Sequence, residues 1–399
     1  MTITLRNVRP FQNGQLRTAT NITITNNRIT AIGAQLEGDI VDGKNAICAA
    51  GYIDIHTHGG WGKDCMEATY DTIDTIARYH LSTGITSFCP TTMTAAISDI
   101  NDALANIKKY RDGNHIGGAK IIGTHLEGPY LAQKSEGAHP PQFLISPTTD
   151  NQDFVWNNLD VATRITLAPN LDGAAEFCKR ATAQHIQISL GHDDSIDDEI
   201  NACVDCGANS VTHLYNCTSR PSRRTTPKKH LGLTEIGLID NRLVCEVIAD
   251  NRHVPNALFA MIFKLKGADK ICLVSDSLSV AGMPEGDYFI GSGASRQTIR
   301  VEDNVAVLPA LNTYAGSVTP ISTMARNLCA IGYRIEDCLT MATLTPSKLV
   351  GLKDRGDIAN GLVGDVNLLD DSLNIVATIC NDNICNSHLD TFDGCVEKK

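Results

Sequence analysis

The chain has 399 residues, of which 42% are hydrophobic and 20% are charged, so it can bury a large core and is not typical of a disordered protein. Its formal net charge of −11 argues against nucleic acid or an anionic membrane as the main partner. No apolar run approaches the roughly 20 residues that cross a bilayer, and the N-terminus lacks a secretory pattern. We therefore expect a cytoplasmic protein with no membrane and no nucleic-acid partner.

The two ends of the chain are predicted to form short strands. Ile22 and Ile24 alternate with polar residues before a turn at Asn26 and Asn27, and apolar runs recur near the other end at 366–369 and 375–380. Neither end is long enough to fold alone. We predict that residues 1–50 and 355–399 combine into one small composite β-sandwich domain, with residues 51–354 inserted as a second domain.

The central segment alternates short apolar runs with helix-like stretches such as 71–83 and 97–110. This alternation predicts parallel βαβ units, and eight of them predict an α/β protein with a (β/α)8 TIM-type barrel. Its active site is expected at the carboxyl ends of the strands. The eight runs are 52–55, 85–89, 120–126, 164–168, 186–190, 210–214, 243–248 and 271–274.

Metal-ligand residue types lie in or just after four of these runs. His56 and His58 are two residues apart, a spacing that points both side chains to the same face of a strand. Glu127, His192 and His213 stand at the ends of three other predicted strands. Imidazole and carboxylate ligands suit Zn, Fe or Mn ions, so the sequence predicts a divalent metal site. The competing interpretation is five polar residues with separate structural roles.

Asp276 follows the eighth run. A carboxylate beside a metal-bound water can accept a proton and return it to a leaving group. The competing interpretation is the N-cap of a helix, a position that Asp favours.

The motifs around these residues resemble those of N-acetylglucosamine-6-phosphate deacetylases of the amidohydrolase superfamily, over nearly the whole chain. The motifs are GYIDIHTHGG at 51–60, THLEGPYL at 124–131, GAH at 137–139, TLAPN at 166–170, SLGHDDS at 189–195, THLYN at 212–216, VIADNRH at 247–253, LVSDSLSVAG at 273–282, AGS at 315–317 and GDIANGLVGDVNLLD at 356–370.

The resemblance implies a role for each matching position. It implies that Glu127, His192 and His213 are the principal metal ligands and that His56 and His58 hold a second ion, as in two-metal members. It implies that Asp276 is the general acid and base and that His139 lies near the acetyl group. The implied substrate contacts are Ala138, Asn216, Cys217, Arg223, Arg224, His253, Tyr314, Ala315, Gly316 and Ser317.

The segment after Asn216 departs from the family pattern. The usual glycine-containing turn is missing, and cations are concentrated between Arg220 and His230. Arginine forks suit phosphate, so Arg220, Arg223 and Arg224 are all candidates for a phosphate contact. The competing interpretation is an exposed basic loop, since charge runs are usually solvated.

The implied activity is hydrolysis of the acetamide of N-acetylglucosamine 6-phosphate by a cytoplasmic homodimer with one or two divalent ions per subunit. The alternatives are the galactosamine epimer as substrate, another amidohydrolase reaction, or a non-catalytic barrel used as a scaffold. Related cyclic-amide hydrolases use a carboxylated lysine on the fourth strand, whereas the fourth run here contains Arg164 and no lysine.

Overall fold

The computed structural model of the chain describes residues 1–113, 115, 117–223, 227–290, 297–310, 313–387 and 396–397. Its central feature is a barrel of eight parallel strand positions, each beginning or ending within a few residues of a predicted run. The strands are Tyr52–Thr57, Ile85–Thr92, Lys120–Ile121 with Thr124–Glu127, Ala162–Leu167, Gln187–Leu190, Ser210–Val211, Val244–Val247 and Ile271–Leu273. The predicted barrel is confirmed.

The barrel closes between its last and first strands. The amide of Asp276 donates to the carbonyl oxygen of His56 at 2.9 Å, and Thr57 and Ser277 form a parallel bridge. The third strand is broken at Gly123, where a φ of 152° places the backbone in a region that a side chain disfavours, and a Cβ there would also collide with Thr163.

The helices surround the barrel with one apolar face each. The helix Tyr70–Ser82, for example, starts where the Thr69 side chain accepts from the Thr72 amide, and it buries Ile73, Ile76 and Ala77 at helical spacing. The helices are Tyr70–Ser82, Ile97–Arg111, Asp153–Trp156, Ala174–Ala183, Asp197–Asp205, Leu233–Ile239, Asn256–Lys266, Ile321–Ala330, Ile335–Leu339 and Thr345–Leu349. A π-helical turn, Thr340–Leu344, joins the last two, and short 3-10 helices span Cys65–Glu67, Gln133–Ser135, Pro141–Phe143, Thr149–Asn151 and Ala268–Lys270.

The two chain ends meet in one ten-stranded sheet. Ile47–Ala50 pairs antiparallel with Val366–Leu369, and a separate apolar cluster that includes Ile24, Val366 and Ile379 packs on this sheet. The strands are Thr2–Gln12, Gln15–Leu16, Thr20–Thr25, Arg28–Ile32, Asp39–Asp42, Ile47–Ala50, Val366–Leu369, Ile375–Cys380, Asn383–Ser387 and Val396–Glu397. This pairing supports the composite β domain, and the boundaries at 1–50, 51–354 and 355–399 stay a prediction.

A four-stranded antiparallel sheet follows the last barrel strand and was not predicted. Its strands are Gly286–Ile290, Gln297–Glu302, Val305–Leu308 and Thr313–Ser317, and a small hairpin at Gly59–Gly60 and Lys63–Asp64 lies near the first barrel strand. The sheet buries its own apolar cluster against Leu278 and Val280, which explains why it sits beside the end of the eighth strand. Among the described residues, no helix is both long and apolar enough to cross a membrane.

Candidate active site

A cavity of about 240 Å³ opens at the carboxyl ends of the barrel strands, where the barrel rule places active sites. His58 reaches it from just after the first strand, Glu127 from the third strand, His192 from the loop after the fifth, His213 from the loop after the sixth, and Asp276 from the loop after the eighth. His56 lies buried just beneath. The structure therefore brings together all five predicted metal ligands and the predicted acid and base.

Glu127 is the centre of this group. Its Oε1 lies 3.2 Å from His192 Nε2 and 3.0 Å from His213 Nε2, and these two nitrogens are 3.0 Å apart. Its Oε2 lies 3.0 Å from His58 Nε2 and 3.3 Å from His56 Nε2. One carboxylate thus faces two pairs of imidazoles, one pair at each oxygen.

The hydrogen bonds on the far sides of two rings set their tautomers. His192 Nδ1 lies 2.8 Å from the carbonyl oxygen of Ser135, and His56 Nδ1 lies 3.2 Å from Glu246 Oε2. Both partners only accept, so each Nδ1 donates and each Nε2 of a neutral ring keeps its lone pair towards Glu127. Lone pairs and carboxylate oxygens then converge, which is the arrangement of a cation site.

The donor set fits one or two divalent metal ions. His56 Nε2 is buried and makes no hydrogen bond within the described part of the chain, although carboxylate oxygens of Glu127 and Asp276 lie at 3.3 and 3.4 Å. Three groups here have ligand atoms that all lie within 4.8 Å of one another: His56, His58 and Asp276; His56, Glu127 and His213; and Glu127, His139 and His192. Oxygen and imidazole ligands of this kind suit Zn, Fe or Mn.

The pKa values of the two carboxylates are held low. Burial raises the pKa of Glu127, but the positive charge that the His56 ring carries when it is protonated, and hydrogen bonds with His139, His192 and His213, outweigh it and leave the pKa well below its usual range. Burial also opposes ionisation of Asp276, and the neighbouring His56 and His58 lower its pKa on balance. Asp276 is therefore ionised at neutral pH and able to accept a proton.

Asp276 is fixed by its backbone as much as by its side chain. Its φ of 47° lies in the left-handed region, which costs a residue with a side chain about 1–3 kcal/mol. The carbonyl oxygen of Asp276 accepts from the Ser317 amide at 2.9 Å, and the carboxylate Oδ1 lies 3.4 Å from both His56 Nε2 and His58 Nε2. This conformation turns the carboxylate towards the cavity. No helix begins at Asp276, so the residue is not an N-cap.

His139 faces the same group from the loop after the third strand. Its Nδ1 accepts from the Thr94 amide at 3.3 Å, so a neutral ring carries its proton on Nε2, which lies 3.5 Å from Glu127 Oε2. Burial lowers the pKa of His139 to about 4 despite the opposing effect of Glu127. The ring is therefore a neutral donor that points into the cavity.

Most of the other predicted contact residues line the cavity, and two do not. Ser317 lies behind the site, fully buried, and supports Asp276. Arg223 is exposed on the loop after Asn216 and donates to the carbonyl of Pro227, and Arg224 is outside the described residues. The predicted contacts found in the lining are Ala138, Asn216, Cys217, His253, Tyr314, Ala315 and Gly316.

One ring nitrogen of His253 contacts Asp250, and the other is left for a ligand. Its Nδ1 lies 2.7 Å from Asp250 Oδ2, while Asp250 Oδ1 accepts from the amides of Arg252 and His253 at 2.8 Å. The Nε2 atom is buried beside Tyr314 and has no hydrogen-bond partner within the described part of the chain. A bound molecule in the cavity can satisfy it.

Two charged residues beneath the site were missed from the sequence. Arg164 and Glu246 form a fully buried ion pair inside the barrel, and Glu246 contacts His56. The sequence did contain a signal for them. Arg164 and Glu246 are charged residues within the apolar runs 164–168 and 243–248, which were predicted to be buried strands. The unpredicted lining residues are Met93, Tyr215, Leu278, Ile290 and Thr313.

Comparison with known proteins identifies the family of the chain. The model of the amidohydrolase family matches residues 47–392. The N-acetylglucosamine-6-phosphate deacetylase of Bos taurus is 33% identical over 83% of this chain and 81% of its own length. The N-acetylgalactosamine-6-phosphate deacetylase of Escherichia coli O157:H7 is 30% identical over 82% of this chain and 85% of its own length. The crystal structure of N-acetyl-D-glucosamine-6-phosphate deacetylase from Mycobacterium smegmatis superposes with a TM-score of 0.84 at 26% identity, over 97% of this chain and all of that one.

Proposed function

Because the chain belongs to the amidohydrolase family, we propose that it hydrolyses the acetamide of N-acetylglucosamine 6-phosphate to glucosamine 6-phosphate and acetate. The observation that carries this proposal is an ionised Asp276 that faces a cluster of Glu127 and four histidines across one cavity. A carboxylate opposite a metal-ligand cluster is the arrangement that metal-assisted amide hydrolysis requires.

Glu127, His192 and His213 would hold one divalent ion, and His56 and His58 a second, as Zn, Fe or Mn. A bound ion of this kind supplies Lewis acidity, which lowers the pKa of a water molecule and polarises an amide carbonyl. Asp276 takes the proton from the attacking water and then delivers it to the departing amine, so that the C–N bond breaks and the new C–O bond leaves acetate. His139 donates from Nε2 to the carbonyl oxygen as negative charge develops there.

The phosphate is the remote handle of the substrate in this proposal. His253 Nε2 is buried, unsatisfied within the described residues and directed at the cavity, and cations are concentrated between Arg220 and His230. Binding energy from a phosphate far from the acetamide orients the reacting centre. We propose a cytoplasmic homodimer in which this basic loop, with Arg223 and Arg224, meets the phosphate.

The galactosamine epimer is the second candidate substrate, because the Escherichia coli O157:H7 relative bears that name. Another amidohydrolase reaction and a non-catalytic scaffold are the remaining alternatives. The described fourth strand, Ala162–Leu167, offers no lysine for the carboxylated bridge of cyclic-amide hydrolases.

The test is acetate release from both N-acetylhexosamine 6-phosphates, with metal analysis of the same preparation. We expect a higher kcat/KM for the glucosamine compound and at least one divalent ion per subunit. A preference for the galactosamine compound would move the assignment to the epimer. If acetate release persisted at the same rate after metal removal, the metal-assisted reaction would be overturned.

A further inference from the structure

Arg164 and Glu246 form an ion pair inside the barrel, below the floor of the cavity. Arg164 extends from the fourth strand and Glu246 from the seventh, and both are completely shielded from solvent. Replacing such a pair by apolar residues of similar volume is often neutral or stabilising, so burial of the pair is weak evidence for a purely stabilising role. Its contacts indicate a different role.

Three contacts fix the Glu246 carboxylate. The Arg164 guanidinium contacts Oε1, and the Ser189 hydroxyl donates to the same oxygen at 3.2 Å. Arg164 is in turn held by the Gln187 side chain and by the carbonyl oxygen of Ile55, the residue that precedes His56. The other oxygen, Oε2, is left facing His56 Nδ1 at 3.2 Å.

This contact decides which nitrogen of His56 can bind a cation. A carboxylate only accepts, so Nδ1 carries the proton and Nε2 of the neutral ring presents its lone pair to Glu127 and Asp276. His58 has no equivalent support, since its buried Nδ1 lacks a hydrogen-bond partner within the described residues. Of His56 and His58, only His56 therefore has a described hydrogen bond that sets its tautomer.

We propose that Glu246 is a positioning residue that fixes the tautomer and ring orientation of His56 and so controls the affinity for the second metal ion. This inference rests on the two-ion site of the proposed function. It predicts a selective effect: the ion held by Glu127, His192 and His213 keeps its affinity when Glu246 is altered, and the ion held by His56 and His58 does not.

The test compares two double variants that both remove the buried charges, R164M/E246Q and R164M/E246L. Glutamine still offers an oxygen to His56 Nδ1, whereas leucine does not, so the pair isolates the hydrogen bond from the charge. Each metal-free protein is titrated with Zn²⁺, and bound zinc is counted per subunit. We expect two ions in the wild type and in R164M/E246Q, and an affinity for the second ion about 10–100-fold lower in R164M/E246L, as loss of an outer hydrogen-bond partner of a metal ligand typically produces.

Two further variants guard against misfolding and against an indirect effect. E246D keeps the charge beside Arg164 but draws the carboxylate back from His56, and we expect it to weaken the second ion as well. Adding R164M/E246L to H56N should weaken the second ion no further than H56N alone, because residues that act through one another are not additive.

Equal affinities in the two double variants, an equal loss for both ions, or a single ion in the wild type would each overturn the inference. Zinc counts and acetate release are separate readouts. A wild-type protein that binds two ions and releases no acetate from either sugar phosphate would refute the proposed function and leave the role of Glu246 standing.

Discussion

Asp276 has a strained backbone conformation and places its carboxylate in the cavity. Its replacement by asparagine tests the proposed proton transfer. In D276N the amide has nearly the same shape but cannot accept a proton. We expect kcat for acetate release to fall roughly 10²–10⁴-fold, the usual contribution of a general acid or base. The measurement is kcat with saturating substrate, together with the thermal unfolding midpoint and metal content of the same sample.

The control for D276N is retention of the fold and of the ion proposed for Glu127, His192 and His213. If the variant kept more than about a tenth of the wild-type kcat, another residue would have to carry the proton, since such a loss is smaller than an acid–base role requires. Asp276 is within 3.4 Å of His58, so a change confined to the second ion would be read from the metal count.

His80, which lies outside the cavity, is expected to make the stability of the protein depend on pH. It is fully buried on the helix Tyr70–Ser82, where its Nε2 lies 2.9 Å from Thr57 Oγ1. Burial lowers its pKa from 6.5 to about 3, so between these values the unfolded chain binds a proton that the folded chain does not. The contribution of His80 to stability is therefore complete above pH 6.5 and is lost as the pH falls, by up to about 1.4 kcal/mol per pH unit.

H80Q removes this titration and keeps a polar side chain beside Thr57. We expect the free energy of unfolding of the wild type, minus that of H80Q, to decrease steadily from pH 6 to pH 4. Urea unfolding of the two metal-free proteins at several pH values measures it. Parallel curves for the two proteins would show that His80 does not take up a proton on unfolding in this range.

At the scale of elements, Asp193 ties one cavity loop to the barrel. Its carboxylate accepts from the Ser219 amide at 2.8 Å and from the Ser219 hydroxyl at 2.7 Å, and its own amide donates to the carbonyl oxygen of Cys217 at 3.1 Å. Asn216 and Cys217 reach the cavity from this loop. The position of two proposed substrate contacts thus depends on a residue that the sequence analysis did not select.

D193N should loosen this loop, because an amide nitrogen faces a backbone donor where a carboxylate oxygen accepted from it. We expect KM for the 6-phosphate to rise about 10-fold, since an unsatisfied buried donor costs about 1–3 kcal/mol, while kcat changes less. The matched control is D194N at the next position, where the carboxylate is half exposed and pairs with Lys134 on the surface. A similar rise in both variants, or a selective loss of kcat in D193N, would contradict this role for the loop.

Much of the barrel was predictable because each of its strands is a short apolar run that ends in polar residues. The ligands His56, Glu127 and His213 were predictable for the same reason: the strand ends meet at one rim. The sheet from Gly286 to Ser317 was not, since its strands follow the eighth barrel run without helices between them in the described part of the chain and pack on a local cluster instead of the barrel core. Glu246 was missed because a charge in a buried strand gains meaning only from a partner such as Arg164, on a strand far away in the sequence.

For the whole molecule, strands from the two chain ends pair in one sheet, and the barrel strands lie between these ends in the sequence. The edge of Ile47–Ala50 is covered by Val366–Leu369, and Gly84 below the second barrel strand receives the side chain of Asn367 through a 2.8 Å hydrogen bond. The composite sheet therefore contacts the barrel at the end away from the cavity-forming strand ends. The basic loop after Asn216 starts at the opposite rim, where Asn216 and Cys217 line the cavity.

The proposed homodimer leads to a prediction about this basic loop. Arg223 is exposed and does not line the cavity of its own subunit, so its guanidinium can serve the phosphate through a second copy of the chain. In R223A/R224A we expect KM for the 6-phosphate to rise about 10–100-fold, because hydrogen bonds to charged groups are worth about 1.5–3 kcal/mol. Turnover of the unphosphorylated N-acetyl sugar should change little, and this comparison is the internal control. An equal loss on both sugars would assign the loop to folding or assembly, and a fully active protein that sediments as a monomer would exclude the contribution of a second subunit.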